Sequence, residues 1–100
     1  MNHYRRKIDR LDLRVARLLC RRYRLVREIG LIKQRKGVQV ADPRRERQVL
    51  ARVARGTRGR GAADYVRGVY RCIIDASRRV QEQVRPEGGR PNDERGGSRE

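Results

Sequence analysis

Residues 5–34 read RRKIDRLDLRVARLLCRRYRLVREIGLIKQ and carry the strongest structural signal of this chain. Apolar side chains recur in this stretch at steps of three and four residues, at Ile8, Leu11, Val15, Leu18, Leu19, Leu25, Val26 and Ile29. This spacing places them on one face of a single long α-helix. Such a helix would be about 45 Å long, whereas a compact monomer of this size has a radius of gyration of only about 13 Å. We therefore expect the helix to protrude from a monomer and to need a partner.

A second, short helix is predicted between Asp42 and Arg55. Gly37 is a typical stop signal for the first helix, and residues 38–40 read as a short extended connector. Asp42 suits the N-cap of the new helix and Pro43 its first turn. The apolar stripe of this helix continues through Val49, Leu50 and Val53.

A third helix, of medium length, is predicted over roughly residues 62–84. Its stripe contains Val66, Val69, Tyr70, Ile73, Ile74, Ser77, Val80, Gln81 and Val84. The glycine-rich residues 56–61 before it predict a flexible loop, and Pro86 closes it. The chain shows no strand signal of substance, so the predicted fold class is all-α. We assign residues 1–85 to one helical domain and residues 86–100 to a polar, disordered tail.

The net charge of the 100-residue chain is +16, which first suggests a protein that binds nucleic acid. The basic residues are spread along the periodic segments, however, as is typical of solvated helix faces. The four tyrosines do not interleave with arginine in a single patch, although such stacking is preferred for nucleic-acid binding. Nucleic acid is therefore not the expected partner, and a basic nucleic-acid-binding helical protein remains the alternative from a different functional class.

The cysteines and the apolar runs bear on the compartment. Cys20 and Cys72 are too far apart for a metal-ligand or redox motif, and we interpret them as small core residues in a reducing cytoplasm. The N-terminus lacks an apolar signal-peptide core, and the sequence has no apolar run of about 18 residues. We expect a cytoplasmic protein with no membrane partner.

Polar residues interrupt the apolar stripes at several positions. Arg22 and Lys33 fall on the apolar face of the first helix, Glu46 lies in line with Leu50, and Ser77 and Gln81 lie on the stripe of the third helix. Burying charges without partners costs several kcal/mol. Taken singly, each could be a side chain that reaches out of the helix face. Together, these residues favour a cavity for a small dicarboxylate, because arginine binds carboxylates bidentately.

Arg5 lies on the same side of the first helix as Ile8. It is 17 residues from Arg22, which corresponds to about 25 Å along a helix. One small ligand cannot contact both side chains of a single straight helix. Antiparallel pairing of two copies of this helix would bring Arg5 of one copy towards the stretch from Arg22 to Lys33 of the other. The residues thus predict a site built from two chains.

Three segments resemble the all-helical chorismate mutases of the AroQ type. They are RRKIDRLDLRVARLLCRRYRLVREIGLIK at 5–33, VADPRRERQVL at 40–50 and YVRGVYRCIIDASRRVQ at 65–81. The combination of these motifs is specific, and it covers about residues 4–84. The resemblance implies an intertwined helical homodimer with two equivalent sites that converts chorismate to prephenate in aromatic amino acid biosynthesis. It also implies that neither a metal nor a cofactor is needed.

The resemblance also implies roles for individual residues. Arg22 would bind one substrate carboxylate, and Arg5 of the partner chain would bind the other. Lys33 would contact the ether oxygen and a carboxylate, and Gln81 would be the second donor to that oxygen. The remaining substrate-binding residues would be Glu46 at the C4 hydroxyl, Asp42 through its backbone and Ser77 at a carboxylate.

Two alternatives on the same scaffold stay open. A mutase of 4-amino-4-deoxychorismate, found in antibiotic pathways, is compatible with the sequence because Glu46 could bind an ammonium as well as a hydroxyl. An isochorismate pyruvate-lyase would share the helical dimer and the cationic pocket. The segment around Glu46 fits the mutase pattern better than the lyase pattern.

Overall fold

The computed structural model describes residues 1–86 and contains three α-helices in this range. They are α1 (Asn2–Lys36), α2 (Pro43–Arg55) and α3 (Arg60–Gln83). Both α1 and α2 pack against α3. The all-α prediction of one long, one short and one medium helix is therefore confirmed. The intertwined dimer is not tested by this single chain, and the predicted tail lies, from residue 87 onward, outside the described residues.

Local signals account for the helix boundaries. Gly37 adopts the left-handed conformation, with φ 66°, and the amide of Val38 donates to the carbonyl of Lys33 at 2.9 Å. This is the usual glycine-terminated helix end. Asp42 caps α2, because its Oδ1 accepts a hydrogen bond of 3.1 Å from the backbone N–H of Arg45. The glycine-rich loop is shorter than predicted: α3 begins at Arg60, after Gly59 at φ 86°, so residues 60–61 are helical.

The chain is extended, with principal dimensions of 48 × 36 × 15 Å and a radius of gyration of 16.5 Å. Every residue from 1 to 21 is exposed, and Leu18 and Leu25 on the apolar stripe are 59% and 66% exposed. The buried hydrophobic side chains of the described residues are Val26, Ile74 and Val84. The expectation that α1 protrudes is confirmed. The interpretation of Cys20 and Cys72 as core residues is wrong for the single chain, because both residues are exposed.

The helices α1 and α3 approach each other closely at Gly30. A Cβ atom at this position would lie 2.8 Å from Cγ1 of Val84 and 2.9 Å from Cα of Gln81. Cβ atoms in real structures do not come within 3.0 Å of such atoms. The Cα of Gln81 is part of the backbone of α3, so it cannot move away unless α3 moves. The glycine therefore lets the two helices come together one turn before Lys33, and this contact brings Lys33 within reach of α3.

Candidate functional site

A cleft of about 150 Å³ lies where the C-terminal half of α1, the start of α2 and the C-terminal half of α3 meet. It brings together most of the residues predicted for the site. Six of them line it: Arg22, Lys33, Asp42, Glu46, Ser77 and Gln81. The walls between them are apolar and include Val26, Ile29, Val49 and Ile74. An apolar cavity with a few convergent polar groups is typical of small-molecule sites.

Arg22 is held in place from α3. Its Nη1 donates a hydrogen bond to Oγ of Ser77, and the guanidinium carbon lies 5.9 Å from the ring centroid of Tyr70, which is within the range of a cation–π contact. Ser77 in turn donates to the carbonyl of Ile73 at 2.8 Å. These contacts fix the guanidinium at the edge of the cleft, where it can bind a carboxylate.

Lys33 and Gln81 form a pair across the cleft. The Lys33 ammonium donates to Oε1 of Gln81 at 2.9 Å and to the carbonyl of Val40 at 2.8 Å. An ammonium has three donors, so the third can serve a ligand. Because Oε1 of Gln81 faces the ammonium, the Nε2 end of the amide is the end that can donate to a ligand.

Glu46 lies one turn into α2 and is tied to α3. Nη2 of Arg78 donates to both Oε1 and Oε2 of Glu46 at 2.7 Å each. The hydrogen bond to Glu46, followed by its charge, raises the pKa of Arg78 above its ordinary value. Both groups of this pair line the cleft. Asp42 lies beside them, with its side chain used as the N-cap of α2.

The charges that line the cleft favour an anionic ligand. Four cations, Arg22, Lys33, Arg45 and Arg78, face two anions, Asp42 and Glu46, which leaves a net charge of +2. A small dianion with two carboxylates would balance this charge. No group of three or more His, Cys, Asp or Glu residues within the described part of the chain could hold a metal ion.

Arg5 is the one predicted site residue that does not reach the cleft. It lies in the exposed first turns of α1, about 25 Å along the helix from Arg22. Beside the cleft, a second, more apolar groove of about 320 Å³ runs between α1 and α3. It shares Arg22, Val26 and Ser77 with the cleft, and its other lining residues are Leu19, Tyr23, Val69, Cys72, Ile73, Ala76 and Val80.

Two cationic residues of the cleft, Arg45 and Arg78, are not among those predicted from the sequence. A signal for Arg78 was available, because it lies four residues after Ile74 and three before Gln81, on the same helix face. Arg45 precedes Glu46 at the start of α2, where its side chain is exposed. Neither residue lies within an apolar stretch as Arg22 does. Because the chain contains many arginines, the sequence does not distinguish these two from arginines on solvated helix faces.

The fold and the cleft together define an all-helical protein that can bind a small dianion between three helices. The chain belongs to the chorismate mutase type II family, whose profile matches residues 4–82. No helix among residues 1–86 has the length and apolar character needed to cross a membrane.

Two curated relatives agree with this assignment. The chain is 24% identical over 80 residues to the chorismate mutase of Methanocaldococcus jannaschii, a match that covers 79% of this chain and 81% of that protein. It is 28% identical over 89 residues to the bifunctional chorismate mutase/prephenate dehydratase of Aquifex aeolicus, which covers 85% of this chain. The chain spans only about a quarter of the length of that bifunctional relative.

Proposed function

We propose that this chain is a chorismate mutase, which rearranges chorismate to prephenate in the cleft between α1, α2 and α3. The family assignment and the names of both relatives support this activity. The observation that carries the proposal is the pair formed by Lys33 and Gln81 in the same cleft as Arg22, a cleft of net positive charge. Chorismate carries two carboxylates, which a guanidinium such as that of Arg22 can bind, and an ether oxygen, which can accept hydrogen bonds from Lys33 and Gln81.

The first contribution to catalysis is restraint of the substrate. The reaction is a [3,3] rearrangement within one molecule: the C–O bond of the ether breaks, a C–C bond forms, and no group leaves. Chorismate must therefore adopt a compact, chair-like conformer. Arg22, fixed by Ser77 and Tyr70, would hold one carboxylate, and a second cation would hold the other. Such restraint lowers the entropic part of the barrier.

The second contribution is electrostatic. Cleavage of the C–O bond runs ahead of C–C bond formation, so negative charge builds up on the ether oxygen. Lys33 and the Nε2 group of Gln81 would donate hydrogen bonds to this oxygen, and these bonds would be strongest in the transition state. Glu46 would accept a hydrogen bond from the C4 hydroxyl. None of these steps needs a nucleophile or a general base.

We also propose that the active form is a homodimer in which Arg5 of the partner subunit completes the cleft. Two observations support it: most of the apolar stripe of α1, apart from Val26, is exposed in one chain, and Arg5 is too far from the cleft of its own chain. Burial of an exposed Leu, Ile or Val side chain typically contributes about 1.5–3 kcal/mol. An antiparallel α1 partner would cover the stripe and bring its Arg5 to the cleft.

The test is the loss of chorismate absorbance with the purified chain and no additives, with products separated by chromatography. The proposal expects prephenate at an enzymatic rate, and a rate at least about 10²-fold lower for Lys33→Met, which removes one donor to the ether oxygen. Pyruvate formed from isochorismate, with no turnover of chorismate, would instead identify a lyase. No turnover of chorismate by the folded dimer would overturn the proposal.

A further inference from the structure

Arg78 places a full positive charge against the carboxylate that faces the C4 position of the proposed substrate. Its Nη2 binds both oxygens of Glu46 at 2.7 Å. A second acid, Asp75, contacts it more weakly, since its carboxylate is 3.9 Å from Nη1 and its side chain is 60% exposed. The Nε atom of Arg78 is buried without a hydrogen-bond partner among the described residues. Glu46 is thus the group that fixes the guanidinium.

The pair is partly shielded from water. The side chains of Arg78 and Glu46 are 37% and 27% exposed, and both line the cleft. The charge of Glu46 is therefore compensated inside the site, before any ligand arrives. Each carboxylate oxygen has two lone pairs, and Arg78 takes one on each. Glu46 keeps its capacity to accept a further hydrogen bond, but it presents much less negative potential to the ligand.

This difference separates two kinds of substituent at C4. A neutral hydroxyl needs only an acceptor, which the paired carboxylate still provides. An ammonium needs an uncompensated negative charge, and it would also approach the guanidinium of Arg78. Specificity often comes from such a repulsive element set against the competing ligand.

We propose that Arg78 is a specificity-determining residue that acts through Glu46, so that the cleft selects a C4 hydroxyl and rejects a C4 ammonium. This inference rests on the proposed function, in which Glu46 receives the C4 substituent. It also assigns a substrate within that function: chorismate is accepted and 4-amino-4-deoxychorismate is not. Arg78 is a positioning residue here, since it contacts Glu46 and no reacting atom.

The experiment compares kcat/KM for the two substrates in the dimeric full-length chain and in Arg78→Met, which keeps much of the side-chain length without the charge. The expected result is a shift of the ratio towards the amino substrate by at least about tenfold, in the range measured for close charge pairs. Arg79→Met, a change of the adjacent exposed residue, is expected to leave the ratio unchanged. A purely structural clamp between α2 and α3 would lower both values together and leave the ratio the same, and that result would overturn the inference.

A double-mutant cycle supplies the second readout. Arg78→Met leaves the carboxylate of Glu46 uncompensated, so adding Glu46→Gln to Arg78→Met should remove most of the shift towards the amino substrate. A shift that persists undiminished in the double variant would show that Arg78 acts without Glu46, against the inference. If Arg78→Met does not fold, Arg78→Lys is the alternative variant, because it keeps the positive charge but makes fewer hydrogen bonds to Glu46. Its ratio of kcat/KM for the two substrates should stay close to that of the parent chain. A shift of about tenfold in Arg78→Lys would count against the inference.

The failure of this inference can be distinguished from failure of the proposed function. Turnover of chorismate by the parent chain, with a ratio that does not respond to Arg78, would overturn the role of Arg78 alone. Turnover of neither substrate by the parent chain would overturn the proposed function, and the inference with it.

Discussion

The ammonium of Lys33 donates a hydrogen bond to Oε1 of Gln81 across 2.9 Å, from α1 to α3. The contact joins residues 48 positions apart, and it depends on the close approach of the two helices at Gly30. It also decides which end of the Gln81 amide faces the cleft. The two side chains proposed to stabilise the ether oxygen are therefore positioned by each other as well as by their helices.

Replacing Gln81 with glutamate should make the activity depend on pH. An ionised carboxylate at this position cannot donate a hydrogen bond, whereas a protonated carboxyl group can, so Gln81→Glu is expected to be weak at about pH 8. Its activity should rise as the pH falls towards about 4, where a carboxyl takes up its proton. The nearby Lys33 favours the ionised form and displaces the recovery to lower pH. The measurement is kcat/KM for chorismate from about pH 8 to about pH 4.

The control for this pH profile is Gln81→Met, which removes the donor without adding a titratable group. It should be weak throughout the range, and the parent chain should show no comparable rise towards acid. A flat profile for Gln81→Glu would contradict the donor role of Gln81.

Replacing Lys33 with methionine should reduce kcat by about 10²–10³, or about 3–4 kcal/mol, because a donor to the developing charge is lost. Steady-state kinetics with chorismate measure this loss, and circular dichroism checks the fold. Lys33→Arg serves as the matched variant: it keeps the charge but changes the donor geometry, and it should retain more activity than Lys33→Met. Equal kcat values for Lys33→Met and the parent chain would argue against this donor.

Mixing inactive variants should restore activity if Arg5 acts across the dimer. After complete exchange between Arg5→Ala and Arg22→Ala chains, half of the dimers are mixed and each has one intact site, so a two-fold symmetric dimer should recover about a quarter of the parent activity. Activity is measured before and after exchange, with exchange verified by native mass spectrometry of tagged chains.

A second mixture provides the control for subunit exchange. Arg22 and Lys33 lie in the same cleft of one chain, so Arg22→Ala mixed with Lys33→Ala yields no intact site and should stay inactive. Recovery in this mixture, or none in the first after confirmed exchange, would refute a cross-chain Arg5.

Replacing Gly30 with alanine should destabilise the chain, although alanine favours helices by about 1 kcal/mol. The new Cβ would lie 2.9 Å from Cα of Gln81, and relief of such overpacking typically costs about 1–3 kcal/mol. Displacement of α3 should also disturb the pair formed by Lys33 and Gln81. We therefore expect Gly30→Ala to lower both kcat and the melting temperature. Thermal unfolding and chorismate kinetics measure the two effects.

Gly68→Ala is the matched control for Gly30. Gly68 lies within α3, and a Cβ there meets no heavy atom within 4 Å among those of the structure. The helix preference should therefore act alone and stabilise α3 by about 0.5–1 kcal/mol. A higher melting temperature for Gly30→Ala than for the parent chain would contradict the close approach at that position.

Much of the fold could be predicted from the sequence because its signals are local. The three-and-four spacing of apolar residues, the cap at Asp42 and the stop at Gly37 each act within a few residues of the chain. The end of α2 predicted from these signals, Arg55, is the observed one, and the other predicted helix ends lie within one turn of the observed ends. The start of α3 was misplaced because Gly59, and not Gly61, takes the positive φ that precedes the helix.

Periodicity and charge are properties of each segment, so three amphipathic helices with charged and polar residues on their apolar faces could be predicted from the amino-acid sequence alone. Which polar groups meet depends instead on how the three helices pack together. The pairs of Arg22 with Ser77, Lys33 with Gln81 and Glu46 with Arg78 join residues 32 to 55 positions apart. Such pairs depend on how closely the helices approach and on the direction in which each side chain points. The exposure of Cys20 and Cys72 likewise depends on how the helices pack, and the sequence of each helix does not specify it.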